Sequence, residues 1–295
     1  MTQILLISIS VFLRIVSNPL ANVFQKQLTN NGQHPLLVNF LTYLILSIAC
    51  LFAAWNVPWA QLPAEFWFYS ILGGIAGGLG NGFLVRALQG GDLSVLGPIN
   101  SYKSVVGVVF GIFLLGEIPG IWGLAGIALI IYGSYFVLDT TEDRFSWALL
   151  KRKEIQFRLY AMVLTAIEAV FVKKVILASS VLISFISWCW FGALFALVFL
   201  LINRIGFKGL QTKATVNIYL KYLYVVICIG IMQITTNYAF QHMPVGYALS
   251  LFQLSTIVSV LLGHKIFREK DIQKKLIGSV IMIAGSVVII LLKDK

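Results

Sequence analysis

The stretches "ALQGGDLSVLGPINSYKSVVGVVFGIFLLGE", Ala87 to Glu117, and "AFQHMPVGYALSLFQLSTIVSVLLGHKIFRE", Ala239 to Glu269, align without a gap when the sequence is shifted by 152 positions. Ala87/Ala239, Gln89/Gln241, Gly111/Gly263 and Glu117/Glu269 coincide, and the register runs on to Gly126/Gly278, Gly133/Gly285 and Ser134/Ser286. Nearer the two starts, a shift of 147 pairs "VFQK", Val23 to Lys26, with "VFVK", Val170 to Lys173. The chain therefore carries one unit twice.

Composition fixes the medium in which that unit folds. Of 295 residues, 59% are hydrophobic and only 11% charged, and the mean hydropathy is +0.91. A soluble domain carries about 25% charged residues, so this is a membrane protein. Crossing the hydrocarbon core takes about 20 apolar residues in a helix. Ten such runs are bounded by Pro, Gly, Asn or charge: 4–25, 35–55, 66–88, 93–115, 121–138, 157–176, 180–202, 218–240, 245–267 and 273–292. The N-terminal run lacks a basic leader and carries Arg14 within its apolar part, so it reads as the first span rather than a cleaved signal.

The longest polar interval, "DTTEDRFSWALLKRKEIQFR" from Asp139, divides the chain almost equally. The expected organisation is a first five-helix repeat at 1–138, a polar linker at 139–156 and a second repeat at 157–295. An odd number of spans per copy turns the second copy upside down. The fold class is thus an all-α polytopic membrane protein of ten transmembrane helices in two inverted repeats, an arrangement typical of secondary transporters with a midplane site between the copies.

Lys103 is the conspicuous charge. Counted at 1.5 Å per residue, it lies roughly 15–20 Å from either end of the fourth run, too deep to snorkel. Its burial costs about 2.5–3.5 kcal/mol unless it faces a cavity or a partner. On a helix, Asn100, Lys103, Ser104, Gly107 and Gly111 share one face, and the repeat-equivalent face of the ninth run holds Ser255, Thr256 and Ser259. Two readings stay open: a common substrate cavity, or a buried ion pair of Lys103 with Glu168 beside small-residue packing stripes. The run "GGIAGGLGNG", Gly73 to Gly82, reads as packing.

Arg14 and Asn18 share a face of the first run with Ser10, Asn22 and Gln25, giving a second deep cation. Tyr43, Trp188 and Asn237 are further polar or amphipathic candidates for substrate binding, with Asn39, Asn81 and Gln233 as weaker ones. Glu168 is the candidate proton-coupling carboxylate. Cys50, Cys189, Cys228 and the three dispersed histidines have no metal-ligand spacing, so no metal and no cofactor is expected. No GxxxxGK[ST] loop supports ATP-driven transport.

The paired "LLGE" and "IFRE" turns and the glycine-containing final spans "GIALIIYGSYFVL" and "GSVIMIAGSVVII" resemble the drug/metabolite transporter superfamily, and within it the EamA-like permeases. The resemblance covers essentially the whole chain. It implies a secondary transporter moving a small polar, anionic or zwitterionic metabolite by alternating access. Tyr102, Lys103, Gly116 and Glu117 resemble a fourth-span pattern of nucleotide-sugar transporters, in which the lysine meets a phosphate. That implies, as the alternative, a phosphate-bearing metabolite or nucleotide-sugar exchanger. The hydroxyls at 255, 256 and 259 stand where phosphate-handling relatives place cations.

An enzyme would need clustered nucleophiles or ligands at depth, and a channel would need a filter or ring; neither pattern is present in the sequence. The expected partners are a small-molecule substrate, the lipid bilayer and a coupling proton, with no nucleic acid, in a monomer or a dimer. The expected location is the cell membrane, inner or plasma, with both termini on one side. Most of the 22 Lys and Arg residues flank the loops opposite the termini, which by the positive-inside rule puts the termini outside the cytoplasm. The resemblance implies the opposite orientation.

Overall fold

The computed structural model describes residues 2–103, 105–106, 121–140, 150–206, 216–243 and 245–291, and these are helical with short connections. Helix α1 is Thr2–Asn30, α2 Pro35–Ala49, α3 Leu51–Ala54, α4 Ala64–Gly90, α5 Leu93–Leu96 and α6 Ile121–Leu138. The second half contributes α7 Lys153–Leu177, α8 Val181–Ile202, α9 Val216–His242, α10 Val245–Phe252, α11 Ser255–Phe267 and α12 Ile272–Leu291. By length and composition, five described helices are sufficient on their own to cross a bilayer: α1, α4, α6, α8 and α9. Outward-facing Phe12, Phe52, Trp55, Ile121 and Ile202 expose apolar side chains, the surface a lipid-facing bundle requires.

Local chemistry explains the helix starts. Pro35 opens α2 behind His34, whose Nδ1 accepts from the Leu36 N–H at 3.3 Å, while Gly32 takes the left-handed conformation that turns the chain out of α1. Ser180 caps α8 through Ile183 N–H. Cys50 N–H bonds to Leu46 O and Ala54 N–H to Cys50 O, so α2 and α3 form one nearly continuous span.

The packing follows the repeat. The second span lies on the seventh (α2 on α8) and the fifth on the tenth (α6 on α12), while the first on the eighth (α1 on α9) is mirrored by the sixth on the third (α7 on α4). This is the contact pattern of two units related by a two-fold axis. Reciprocal glycines carry the crossing of α6 with α12. A β-carbon at Gly133 would lie 2.7 Å from Gly278 O, and one at Gly285 would lie 2.6 Å from Gly126 O. Gly133/Gly285 and Gly126/Gly278 are repeat equivalents, so the two contacts are copies of each other. The glycine run of α4 also packs: Gly73 and Gly80 meet Phe171 and Thr165 of α7, and Gly78 and Gly82 meet Ala196 and Phe199 of α8.

The expected uninterrupted helices at 93–115 and 245–267 are corrected. The fourth span begins as α5, breaks at Gly97 into a 3₁₀ turn over Pro98–Ser101, and resumes at Tyr102. Pro98 cannot donate a backbone hydrogen bond, which breaks the ladder there. The ninth span breaks at Gln253–Leu254, between α10 and α11, with no Pro or Gly at those positions. Gln253 is the repeat equivalent of Ser101, and the two side chains meet at 3.5 Å while Gln253 Nε2 donates to Asn100 O at 3.3 Å. The two breaks thus satisfy each other on the repeat axis. Residues 107–120 and 141–149, which hold the rest of the expected fourth span and much of the expected linker, lie outside the described residues, as does Ser104.

Gly133→Leu should lower the unfolding temperature in detergent by roughly 3–10 °C, since overpacking against a backbone carbonyl cannot be relieved by a rotamer change. Ile131→Leu, on the exposed side of the same helix, should leave it unchanged. Equal effects of the two substitutions in thermal unfolding would contradict the glycine-mediated crossing.

Candidate functional site

A cavity of about 90 Å³ lies between the two halves. At roughly 10–15 Å³ for each water, it has room for several waters or a molecule of a few heavy atoms. α7 supplies one wall. Arg158, Thr165, Glu168, Ala169 and Val172 recur at helical spacing and line the cavity from a single face. Arg14, Asn18 and Asn22 come from α1, Asn81 from α4, and Trp188 from α8. Met232, Gln233, Thr236 and Phe240 line it from α9. Asn100 and Lys103 enter from the broken fourth span, and Leu249 and Phe252 from the equivalent part of the ninth. Asn100 thus enters from the 3₁₀ turn itself, and Lys103, Leu249 and Phe252 from helix beside the breaks; irregular backbone is tolerated at bilayer depth where it is covered by protein or lines such a space.

Three cations and one carboxylate share the lining. Arg14 Nε donates to Thr236 Oγ1 at 2.8 Å and its guanidinium sits 4.9 Å from the centre of the Phe252 ring, while its Nη1 is buried without a hydrogen-bond partner. Arg158 Nε donates to Leu96 O at 2.7 Å and Nη2 to Asn100 Oδ1 at 3.0 Å, so this residue pins the backbone at the fourth-span break. Glu168 Oε1 accepts from Trp188 Nε1 at 2.6 Å. Lys103 makes no hydrogen bond or ion pair to the described residues, but its charge interacts with those of Glu168, Arg14 and Arg158 across the cavity. Lys103 and Glu168 are therefore cavity neighbours rather than a contact ion pair.

Of the expected site residues, the cavity gathers Lys103, Asn100, Arg14, Asn18, Trp188 and Glu168. Tyr43 stands behind it. Its ring packs 4.6 Å from that of Trp188 and against Gly192, and its hydroxyl accepts from Asn81 at 2.7 Å, so it positions cavity residues without lining the space. Asn237 is fully buried, its amide 2.9 Å from that of Gln233. Ser255, Thr256 and Ser259 are buried away from the cavity. Ser259 bonds back to Ser255 O and packs against Gly97, because the break at 253–254 rotates α11 out of the register of a continuous helix. Their hydroxyl face serves helix contact.

Arg158, Thr165 and Thr236 belong to the lining and were not singled out from the sequence. Arg158 stands where the polar interval from Asp139 overlaps the expected sixth span at 157–176, and the sequence reading gives it no role. α7 starts at Lys153, which places Arg158 in its second turn with only 6% of its surface exposed. The signal that could have found it is its spacing of seven from Thr165 and ten from Glu168.

The site predicts opposite responses to two truncations. Arg158→Ala strands the Leu96 carbonyl and the Asn100 amide and should cost about 1–3 kcal/mol of stability. Lys103→Ala removes a charge with no bonded partner among the described residues and should leave unfolding in detergent unchanged or raise it. A loss from Lys103→Ala as large as that from Arg158→Ala, in parallel thermal unfolding, would contradict this assignment.

Comparison with known proteins gives the same architecture. A solved crystal structure superposes with a TM-score of 0.68 over 97% of this chain and 97% of that one, at 16% identity, and so shares the fold. A 91-residue segment is 29% identical to an uncharacterized transporter in the cobO 3′ region of Sinorhizobium sp; it makes up 31% of this chain and spans 64% of that relative's length. The model of the EamA-like transporter family matches twice, at residues 5–139 and 152–291. With both halves matched, the chain is a multi-pass membrane protein of the EamA-like transporter family, which belongs to the drug/metabolite transporter superfamily.

Proposed function

We propose that this membrane transporter carries a small metabolite bearing an anionic group, alone or as a zwitterion, across the cell membrane by alternating access around the cavity between its repeats. The observation that carries the reading is the charge of that cavity: among the described lining residues, Arg14, Lys103 and Arg158 stand against the single carboxylate of Glu168. Excess charge in a low-dielectric interior is stable only with a partner, and a substrate anion supplies one. Arg14 Nη1 and Asn22 Oδ1, on two residues of the lining, are a buried donor and a buried acceptor without partners among the described residues, and each would have to turn towards the cavity to meet a ligand.

The size of the cavity favours a molecule of a few heavy atoms over a nucleotide sugar. The absence of cations from the described part of the ninth-span lining, where Leu249 and Phe252 stand instead, favours a carboxylate with an apolar portion over a phosphate ester.

Glu168 takes the role of resident counter-ion. With no substrate its carboxylate offsets the cations, and an arriving anion competes for them. Proton uptake by Glu168 would relieve that competition and couple proton movement to substrate movement in exchange.

Counterflow in liposomes tests both parts. The purified protein should accelerate saturable exchange of small carboxylates or amino acids, and Lys103→Ala should abolish it. Glu168→Gln should preserve exchange between equal substrate pools while removing the response to an imposed pH gradient. Undiminished counterflow by Lys103→Ala would exclude the lysine from the substrate path, and an intact pH response in Glu168→Gln would exclude Glu168 from coupling.

A further inference from the structure

A second buried charge cluster lies beyond the cavity, at the end of the bundle where α1 finishes. Lys26, one turn past the cavity residue Asn22, places its Nζ 3.0 Å from Glu269 Oε1 and 2.8 Å from Gly91 O. The Phe267 ring lies 4.6 Å from the same ammonium. The Glu269 carboxylate also accepts the Leu93 N–H at 2.8 Å and the Ser94 N–H at 2.9 Å, the first donors of the broken fourth span. Lys26 and Glu269 are each 8% exposed. Burial alone would push the Glu269 carboxyl up, but Ser94, Lys26 and the Leu93 N–H hold it below the usual carboxylate range, so it is ionised at neutral pH.

The cluster joins the two repeats. Lys26, Gly91, Leu93 and Ser94 belong to the first, and Glu269 to the second. Any motion that separates the repeats at this end must break the ion pair and both backbone bonds together. A group of bonds made or lost as a unit is a two-state element, and a short separation forfeits all of it.

The other end of the cavity carries the equivalent lysine in a different bond. Lys173 matches Lys26 in the repeat, but its Nζ donates to the Phe240 carbonyl in the last turns of α9. The repeat equivalent of that acceptor is Leu88, not Gly91, so the two lysines engage their repeats about one helical turn apart. Lys173 is also less buried than Lys26, and Phe240 lines the cavity. Among the described residues the two lysines thus bond to carbonyls one turn apart at opposite ends; Glu117, the repeat equivalent of Glu269, lies outside them.

We infer that Lys26 and Glu269 form a lock that seals one end of the cavity by tying the start of the broken fourth span to the second repeat, and that the lock must release for this end to open. The inference rests on the transport reading of the cavity. A permanent structural pin would use the same bonds, and the two differ in whether the bonds ever break.

Distance measurement between spin labels at exposed Gln89 and Lys270, one on each repeat at this end, separates them. The labels are attached to cysteines in a chain whose Cys50, Cys189 and Cys228 are replaced, reconstituted in liposomes without added substrate. A lock gives a dominant short distance, and Lys26→Met or Glu269→Gln should each raise the share of a longer distance by about tenfold or more. The double variant should add little further, because each single change already releases the shared unit. A single short distance that neither variant moves overturns the lock. Should the variants fail to fold, the labelled protein with native Lys26 and Glu269 decides: a minor longer population supports the lock and one distance alone overturns it. Loss of this inference beside intact counterflow would leave the transport reading standing.

Discussion

Backbone that leaves the helical ladder at bilayer depth must be covered by protein or border a polar space, and two such places organise this molecule. The fourth span breaks at Gly97–Ser101 and the ninth at Gln253–Leu254, and the two breaks meet in the repeat register at Ser101/Gln253. Each break supplies a polar partner for the other, through Gln253 with Asn100 and Ser101. Where the spans part, side chains from five further helices converge, and the cavity forms there. Arg158 closes the arrangement by bonding to the Leu96 carbonyl that the break leaves free.

The two-fold plan is strict in the scaffold and absent from the chemistry. Glycines 126, 133, 278 and 285 make copied contacts, and the first-on-eighth and sixth-on-third packings mirror one another. The cavity cations do not repeat. Lys103 corresponds to Ser255, which is buried away from the space, while Arg14 and Arg158 have no cationic equivalent in the other half. In the proposed function, the duplicated frame provides the two conformations of alternating access and the unduplicated charge selects the substrate.

Much of this was legible in the residues. The 152-residue register identified the repeat because membrane helices cross through small side chains at fixed positions, so Gly126, Gly133, Gly278 and Gly285 keep their places. Lys103, Arg14 and Glu168 stood out because ionisable groups at depth are rare and costly. One set of errors traces to the assumption of continuous helices. Helical periodicity carried through Gln253 places Ser255, Thr256 and Ser259 on the cavity face, whereas in the structure all three are buried outside the lining and Ser259 packs against Gly97. Arg158 was missed because a charge five residues from a helix start looks like a loop charge until tertiary contacts bury it. Nothing local distinguishes Tyr43, which supports Trp188 from behind, from a residue that touches the space itself.

The proposed function requires the space between the repeats to bind an anion through Lys103, which has no hydrogen bond or ion pair among the described residues. A thermal-shift screen of purified protein against small carboxylates, amino acids, phosphate esters, amines and neutral sugars tests it most directly, run in parallel with Lys103→Ala. The account predicts stabilisation by one or more small carboxylates or amino acids in the native protein and its loss in Lys103→Ala. Stabilisation by amines or neutral sugars alone, or by the same anions equally in both proteins, would contradict it.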